Sequence, residues 1–170
     1  TGYTPQGAIK FPSIGSVVAH EFNVANDIPN YVHIGGQPTI TGGGFLGPQF
    51  APFVVGGPGR REATATPGAT LRVDDLAPQS SEYQASRLLL QNELRALSKV
   101  PSSPVVEALD SARERALRLM NPQAASAFHI EEESTPAHEA YGSTSFGQGC
   151  LLARRLVERG VSFVEVALDG

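Results

Sequence analysis

The C-terminal stretch constrains the fold more than any other part of the chain. Thr144 or Ser145 can cap a helix over residues 146–159, with Phe146, Cys150, Ala153, Leu156 and Val157 on one side. Gly160 supplies a left-handed stop. The run Val161-Ser162-Phe163-Val164-Glu165-Val166-Ala167-Leu168 then reads as a strand, because β-branched, largely apolar runs suit a parallel sheet covered on both faces. Helix, glycine and buried strand make half of a βαβ unit, so the expected class is α/β. A strand cannot satisfy its ladder bonds alone. No other strand of comparable strength is legible, which places the rest of the sheet, as an expectation, outside this chain.

The remainder divides by composition. Residues 1–60 hold 12 of the 18 glycines and 7 of the 13 prolines, a density that interrupts helices and strands within a few residues. Apolar clusters such as Phe45-Leu46 and Phe53-Val54-Val55 argue for packed loops there rather than disorder. Two short elements stand out: a helix capped by Ser13 through Ile14, Val17 and Val18 to about Glu21, and a strand at Tyr31-Val32-His33-Ile34. Gly56 to Ala69 reads as an exposed connection, and Leu71-Arg72-Val73 as another short strand.

Further on the chain turns helical. Tyr83, Arg87, Leu90, Leu94 and Leu97 carry a helical spacing over residues 80–99. A second helix runs through Val105, Leu109, Ala112, Ala116 and Leu119, a third opens at Asn121-Pro122, and a fourth at Ser134-Thr135-Pro136. The expected organisation is one domain over 1–170: a Gly/Pro-rich loop region 1–70, a helical region 71–144, and helix plus core strand 145–170.

Asp169 follows the last strand directly. Ligands of open α/β sheets bind beyond the carboxyl ends of strands, which makes this carboxylate a functional candidate; the plainer reading is a turn residue, since Asp-Gly is a common turn pair. The histidines, His20, His33, His129 and His138, show no metal-binding spacing, and His20-Glu21 and His138-Glu139 lack the second histidine of the zinc-protease motif. Gly42 to Gly47 match G-x-G-x-x-G literally, but Pro48 follows and no helical pattern starts, so a tight loop is the better reading. Glu131-Glu132-Glu133 reads as a solvated acidic turn, the pairs Arg60-Arg61 and Arg154-Arg155 as solvated faces, and Cys150 as inert packing.

A net charge of −4 with no Lys/Arg-rich run argues against nucleic acid as a partner. No apolar run approaches the ~20 residues of a membrane-spanning helix. The first residues have neither the basic region nor the apolar core of a signal peptide and no initiator methionine, which suggests an internal piece of a larger protein.

Several segments resemble a known family. Thr1-Gly2-Tyr3-x-Pro5 is similar to the Thr-Gly-x-x-Pro segment that follows the nucleophile-bearing helix of sulfatases. Residues Pro12 to Val18, Ile28 to Val32, Gly44 to Gly47 with Ala51-Pro52-Phe53, Tyr141-Gly142 and Phe146 to Glu158 resemble the bacterial family called domain of unknown function fifteen-hundred-and-one, a sulfatase-like branch of the alkaline phosphatase superfamily. The likeness is carried by the order of these segments along most of the chain.

The resemblance implies a doubly wound, alkaline-phosphatase-like α/β fold and metal-dependent hydrolysis of phosphate or sulfate esters. It implies divalent ions held by segments before Thr1 and after Gly170, none of them in this chain. Thr1, Gly2 and Asp169 would then be adjacent to the site rather than metal ligands. The implied partners are the remainder of the same domain and a small ester substrate, with export to the periplasm. The competing reading is a non-catalytic binding or scaffold module of α/β type.

Overall fold

The computed structural model describes residues 9–24, 26–36, 42–56, 89–90, 93 and 103–168. Its centre is a parallel sheet of three strands, β1 (Tyr31–Ile34), β2 (Phe53–Val55) and β3 (Phe163–Val166), in the order β2-β1-β3. Val32 pairs with Phe53 and Val164, and Ile34 with Val55 and Val166. This overturns the expectation that the neighbours of the C-terminal strand lie outside the chain. One neighbour, β1, is within it, and β2 extends the sheet on the far side of β1. The missed one, β2, is three residues long in a Gly/Pro-rich region, and its extended form rests on pairing with β1 rather than on any local pattern.

The roles of the strands are also exchanged relative to expectation. The short Tyr31–Ile34 strand is central and wholly buried, whereas β3 borders the described sheet and is only half-buried, with Leu168 beyond it 72% exposed. A central strand has neighbours on both edges and layers on both faces, so it loses more surface than a strand of equal length at the border.

Among the described residues α-helices accompany the sheet at α1 (Ile14–Glu21), α2 (Pro104–Leu119), α3 (Pro122–Ser126), α4 (Thr135–Tyr141) and α5 (Ser145–Glu158). Their starts follow local chemistry. Ser13, Ser103, Asn121 and Thr144 accept backbone N–H groups of their first turns, satisfying donors that the helix itself leaves open. Gly160, at φ +89°, ends the last helix, and its N–H donates to Val157 O while that of Val161 donates to Leu156 O.

The faces these helices bury differ from the apolar spacing. In α1, Ile14 and Val17 are exposed, and Gly15, Ser16 and Ala19 lie buried. A side chain at Gly15 would put its Cβ 2.5 Å from Tyr31 Cζ and 2.8 Å from Phe163 Cδ1, so the close approach of helix to sheet needs a small residue there. In α2, Leu109 is 65% exposed and Ala112 and Ala116 face solvent, leaving Leu119 as the buried member of the expected face. In α5, Phe146 and Val157 are exposed, while Leu151, Leu152, Arg155 and Leu156 are buried.

One face of the sheet presents Val32, Ile34, Val55, Val164 and Val166 to a core with Leu152, Leu156, Leu119, Phe128 and Ile130. The other presents Tyr31, His33, Phe163 and Glu165, with Gly15 of α1 against Tyr31 and Phe163. Period-2 alternation thus sorts apolar residues to one layer and a polar set to the other.

Arg155, expected on a solvated face, is 5% exposed. Its Nη1 donates to Glu133 Oε1 at 2.7 Å and its Nη2 to Ser126 O at 2.9 Å and to Glu132 Oε2. The Glu131–Glu133 turn is therefore not simply a solvated acidic turn. Two of its carboxylates converge on one buried guanidinium, which is how a charge tolerates burial. The Leu71–Val73 strand and most of the 80–99 helix lie outside the described residues; Leu89, Leu90 and Glu93, which are described, are helical. Among the described residues no helix is long and apolar enough to cross a membrane.

Candidate functional site

The strand order defines where a ligand would sit. From the central β1 the chain crosses to β2 on one side, then returns past β1 to β3 on the other. Such a reversal opens a crevice outside the carboxyl ends of the two strands where the direction switches, here β1 and β3. Gly35-Gly36 leave β1 at that end, and Ala167-Leu168 leave β3. Gly35 N–H donates to Val55 O, and Ala167 N–H to Ile34 O at 2.8 Å. Gly35 has φ +109°, and a Cβ there would stand 2.6 Å from Ala167 O. Backbone alone fits between the two strand ends.

A polar cluster lies just inside this rim. Tyr31 and His33 alternate onto the same face of β1, and His33 is paired in register with Glu165 of β3. Tyr31 Oη donates to Glu165 Oε2 at 2.8 Å. His33 is 1% exposed, with Nε2 2.8 Å from Gly36 O and Nδ1 3.2 Å from Glu165 Oε2, within ion-pair range but without hydrogen-bond alignment. A carbonyl only accepts, so the Gly36 contact puts a proton on Nε2 and leaves Nδ1 facing the carboxylate.

The surroundings set the proton affinities. Burial, then the hydrogen bond to Glu165 and its charge, push the Tyr31 phenol up to about 12, against a smaller opposing contribution from Ser13. For Glu165, burial alone would raise the carboxyl. The hydrogen bond from Tyr31, with the nearby ring and charge of His33, outweighs it and leaves the group below its ordinary value. The cluster favours an anionic Glu165 held by a neutral phenol, and through His33 it pins the Gly36 carbonyl at the crevice rim.

Thr1, Gly2 and Asp169, the residues singled out in the sequence, lie outside the described residues. Asp169 is the residue next after Leu168, the last described position at the β3 end of the crevice. Tyr31 and Glu165 were missed. Their signal was the polar atoms they bring, two positions from His33 on one strand and in the middle of an otherwise apolar run on the other.

The other candidates fall elsewhere. His138 sits beside Gln148 and Ile130 O, His20 beside Glu21, and His129 within 3.7 Å of Glu132. Gly42–Gly47 runs into a three-residue 3-10 turn, Pro48–Phe50, so no α-helix N-terminus meets a phosphate there. Cys150 is a half-buried free thiol. Among the described residues no three His, Cys, Asp or Glu side chains gather to hold a metal ion.

The sequence profile of a family described as "Protein of unknown function (DUF1501)" matches residues 1–170. No curated protein and no solved structure matches the chain.

Proposed function

The chain belongs to the DUF1501 family, and from that premise we propose that it forms the sheet-bearing part of a metal-dependent hydrolase of phosphate or sulfate esters, with a sulfatase-like fold. The observation that carries this reading is the switch point between β1 and β3, since ligands of open α/β sheets bind outside the carboxyl ends of the strands at such a point, and Asp169 follows directly on Leu168 in the sequence. The sulfatase-like segments from Thr1 to Pro5 and from Phe146 to Glu158 support the same class.

His33 and Glu165 offer two candidate metal donors, fewer than the three protein ligands typical of a catalytic zinc site, and His33 Nε2 is engaged by Gly36 O. The described residues therefore do not fit an ion by themselves, and the divalent ions of the proposal belong to residues beyond them. What these residues do is shape the rim. Gly35 lets the β1 and β3 ends pack backbone to backbone, and the Tyr31–Glu165–His33 cluster holds the two strands in register. Export to the periplasm is part of the same proposal and rests on the family resemblance.

The test is turnover by the full-length protein on aryl phosphate and aryl sulfate esters, before and after chelation and with divalent ions restored. Turnover of either ester that disappears on chelation and returns with metal is expected. No metal-dependent turnover on any ester overturns the reading in favour of a non-catalytic binding or scaffold module.

A further inference from the structure

A second concavity lies at the opposite end of the sheet, where β1 and β2 begin. It encloses about 380 Å³ between the end of α1, the residues leading into β1, the Pro48–Phe50 turn and α2. That volume falls within the range of small-molecule sites. It is separate from the crevice at the carboxyl ends, and nothing in the ester-hydrolase reading uses it.

Its chemistry is one-sided. Arg115 and Arg118 both line it, three residues apart and hence neighbours on one face of α2. Asn23 and Gln49 add side-chain amides, and Ala19 and Phe50 an apolar wall. Glu114 is the one carboxylate among the described lining residues, so the lining carries two guanidinium charges against one. Arg115 is positioned by the fold: Nη1 donates to Ala51 O at 3.0 Å and Nε to Ser111 O at 3.3 Å. Those bonds use two of the five N–H donors of its fork. Arg118 Nη2 lies 3.6 Å from Glu114 Oε2 with both side chains more than half exposed, a pairing that water weakens and a ligand can displace.

We propose that this cleft binds a small organic oxyanion, a carboxylate or phosphate monoester, with Arg115 as the anchored donor and Arg118 as the arm that closes on it. A guanidinium presents parallel N–H groups that match two oxygens of either group. Burial, followed by the charge of Arg118, already lowers the proton affinity of Arg115, so an anion between the two relieves a repulsion that the empty cleft retains. Glu114 competes for Arg118, which gives the proposal a test of sign.

The experiment is calorimetric titration of the full-length protein with glycerol 3-phosphate and with malate, and with glycerol as the uncharged control. Saturable binding of at least one anion, and none of glycerol, is expected; which anion binds tells phosphate from carboxylate. Arg118→Gln, at an exposed position, should weaken binding about tenfold, the loss of one charge-assisted contact. Glu114→Gln should tighten it. The Asp169→Asn variant should bind as the parent does, which separates this cleft from the crevice and from the ester-hydrolase reading. Neither anion saturating by about 10 mM, or an affinity unchanged in Arg118→Gln, overturns the proposal.

Discussion

Arg155 reaches from α5 to Glu133, its Nη1 2.7 Å from a carboxylate oxygen, with only 5% of the arginine and 13% of the glutamate side chain exposed. The pair joins the helix that covers the sheet to the turn preceding α4. Desolvating a guanidinium is costly, and the carboxylates of Glu133 and Glu132 with the carbonyl of Ser126 offset that cost together. Removing one partner therefore matters more than the net value of the bridge.

Glu133→Ala is expected to destabilise the fold by about 3 kcal/mol, read as a shift in the urea midpoint, because it leaves a buried charge short of a partner. The dependence on pH follows. The hydrogen bond from Arg155, opposed by burial and aided by the charges of Arg155, Arg154 and Arg159, holds the Glu133 carboxyl below its ordinary 4.5. As pH falls the unfolded chain takes up this proton first, so the contribution is present above the ordinary value and is lost as pH passes down through the folded one. Glu133→Gln should accordingly keep its full deficit from neutral pH down to about 4.5 and narrow it as the pH falls further. A deficit that stays constant would contradict this account of the pair.

Tyr31 supplies the alkaline counterpart. Its phenol is raised from 10.0 to about 12, so its contribution is complete below the ordinary value and is lost as pH rises through the folded one. Ultraviolet titration should show a late tyrosinate step that disappears in Tyr31→Phe. Glu165→Gln, which removes the charge that opposes phenolate formation, should move that step to lower pH. A step that ignores Glu165 would mean that burial alone sets it.

The helix caps were legible because they are local. Ser13, Asn121, Thr144 and Gly160 each act within a few residues of themselves, and each lies where the sequence put it. The faces were not. Apolar spacing favoured Ile14, Val17, Leu109 and Phe146, but helix-to-sheet distance decides burial, and at α1 it selects Gly15 and Ala19 for smallness. Arg155 was misread for a related reason. Its partners are more than twenty positions away, and a buried charge looks like any surface charge until they are known. The candidate crevice was half legible: the strand leading to Asp169 and the Tyr31–Ile34 strand were visible, while β2, the pairing of the three and hence the switch point were not.

Gly15→Ala sets two effects against each other. Alanine in the helix gains about 1 kcal/mol over glycine. Its Cβ, however, would stand 2.5 Å from Tyr31 Cζ, 2.7 Å from Tyr31 Cε2 and 2.8 Å from Phe163 Cδ1, in rings already packed edge to face. Overpacking of this kind costs about 1–3 kcal/mol. The clash should win, with a net loss of stability in thermal unfolding and a weakened Tyr31–Glu165 bond that brings the late tyrosinate step down. A stabilised variant would mean that α1 sits farther from the sheet.

Asp169 and Glu165 both accompany β3, and the ester-hydrolase proposal gives them different work. Asp169 follows directly on Leu168, the last described residue after β3, so a role beside the reacting ester predicts a loss in kcat of at least about a hundredfold for Asp169→Asn in the full-length protein. Such a loss should leave the unfolding midpoint near the parent value. Glu165 faces Tyr31 and His33 within the sheet layer instead. Glu165→Gln keeps the shape and one acceptor for Tyr31, but removes the carboxylate charge that faces His33. Its expected signature is a smaller change in kcat with a shifted pH profile and a lowered unfolding midpoint. Equal losses of kcat in the two variants, with neither pH profile nor midpoint moved in Glu165→Gln, would place both carboxylates at the reacting centre and remove the distinction between rim and framework.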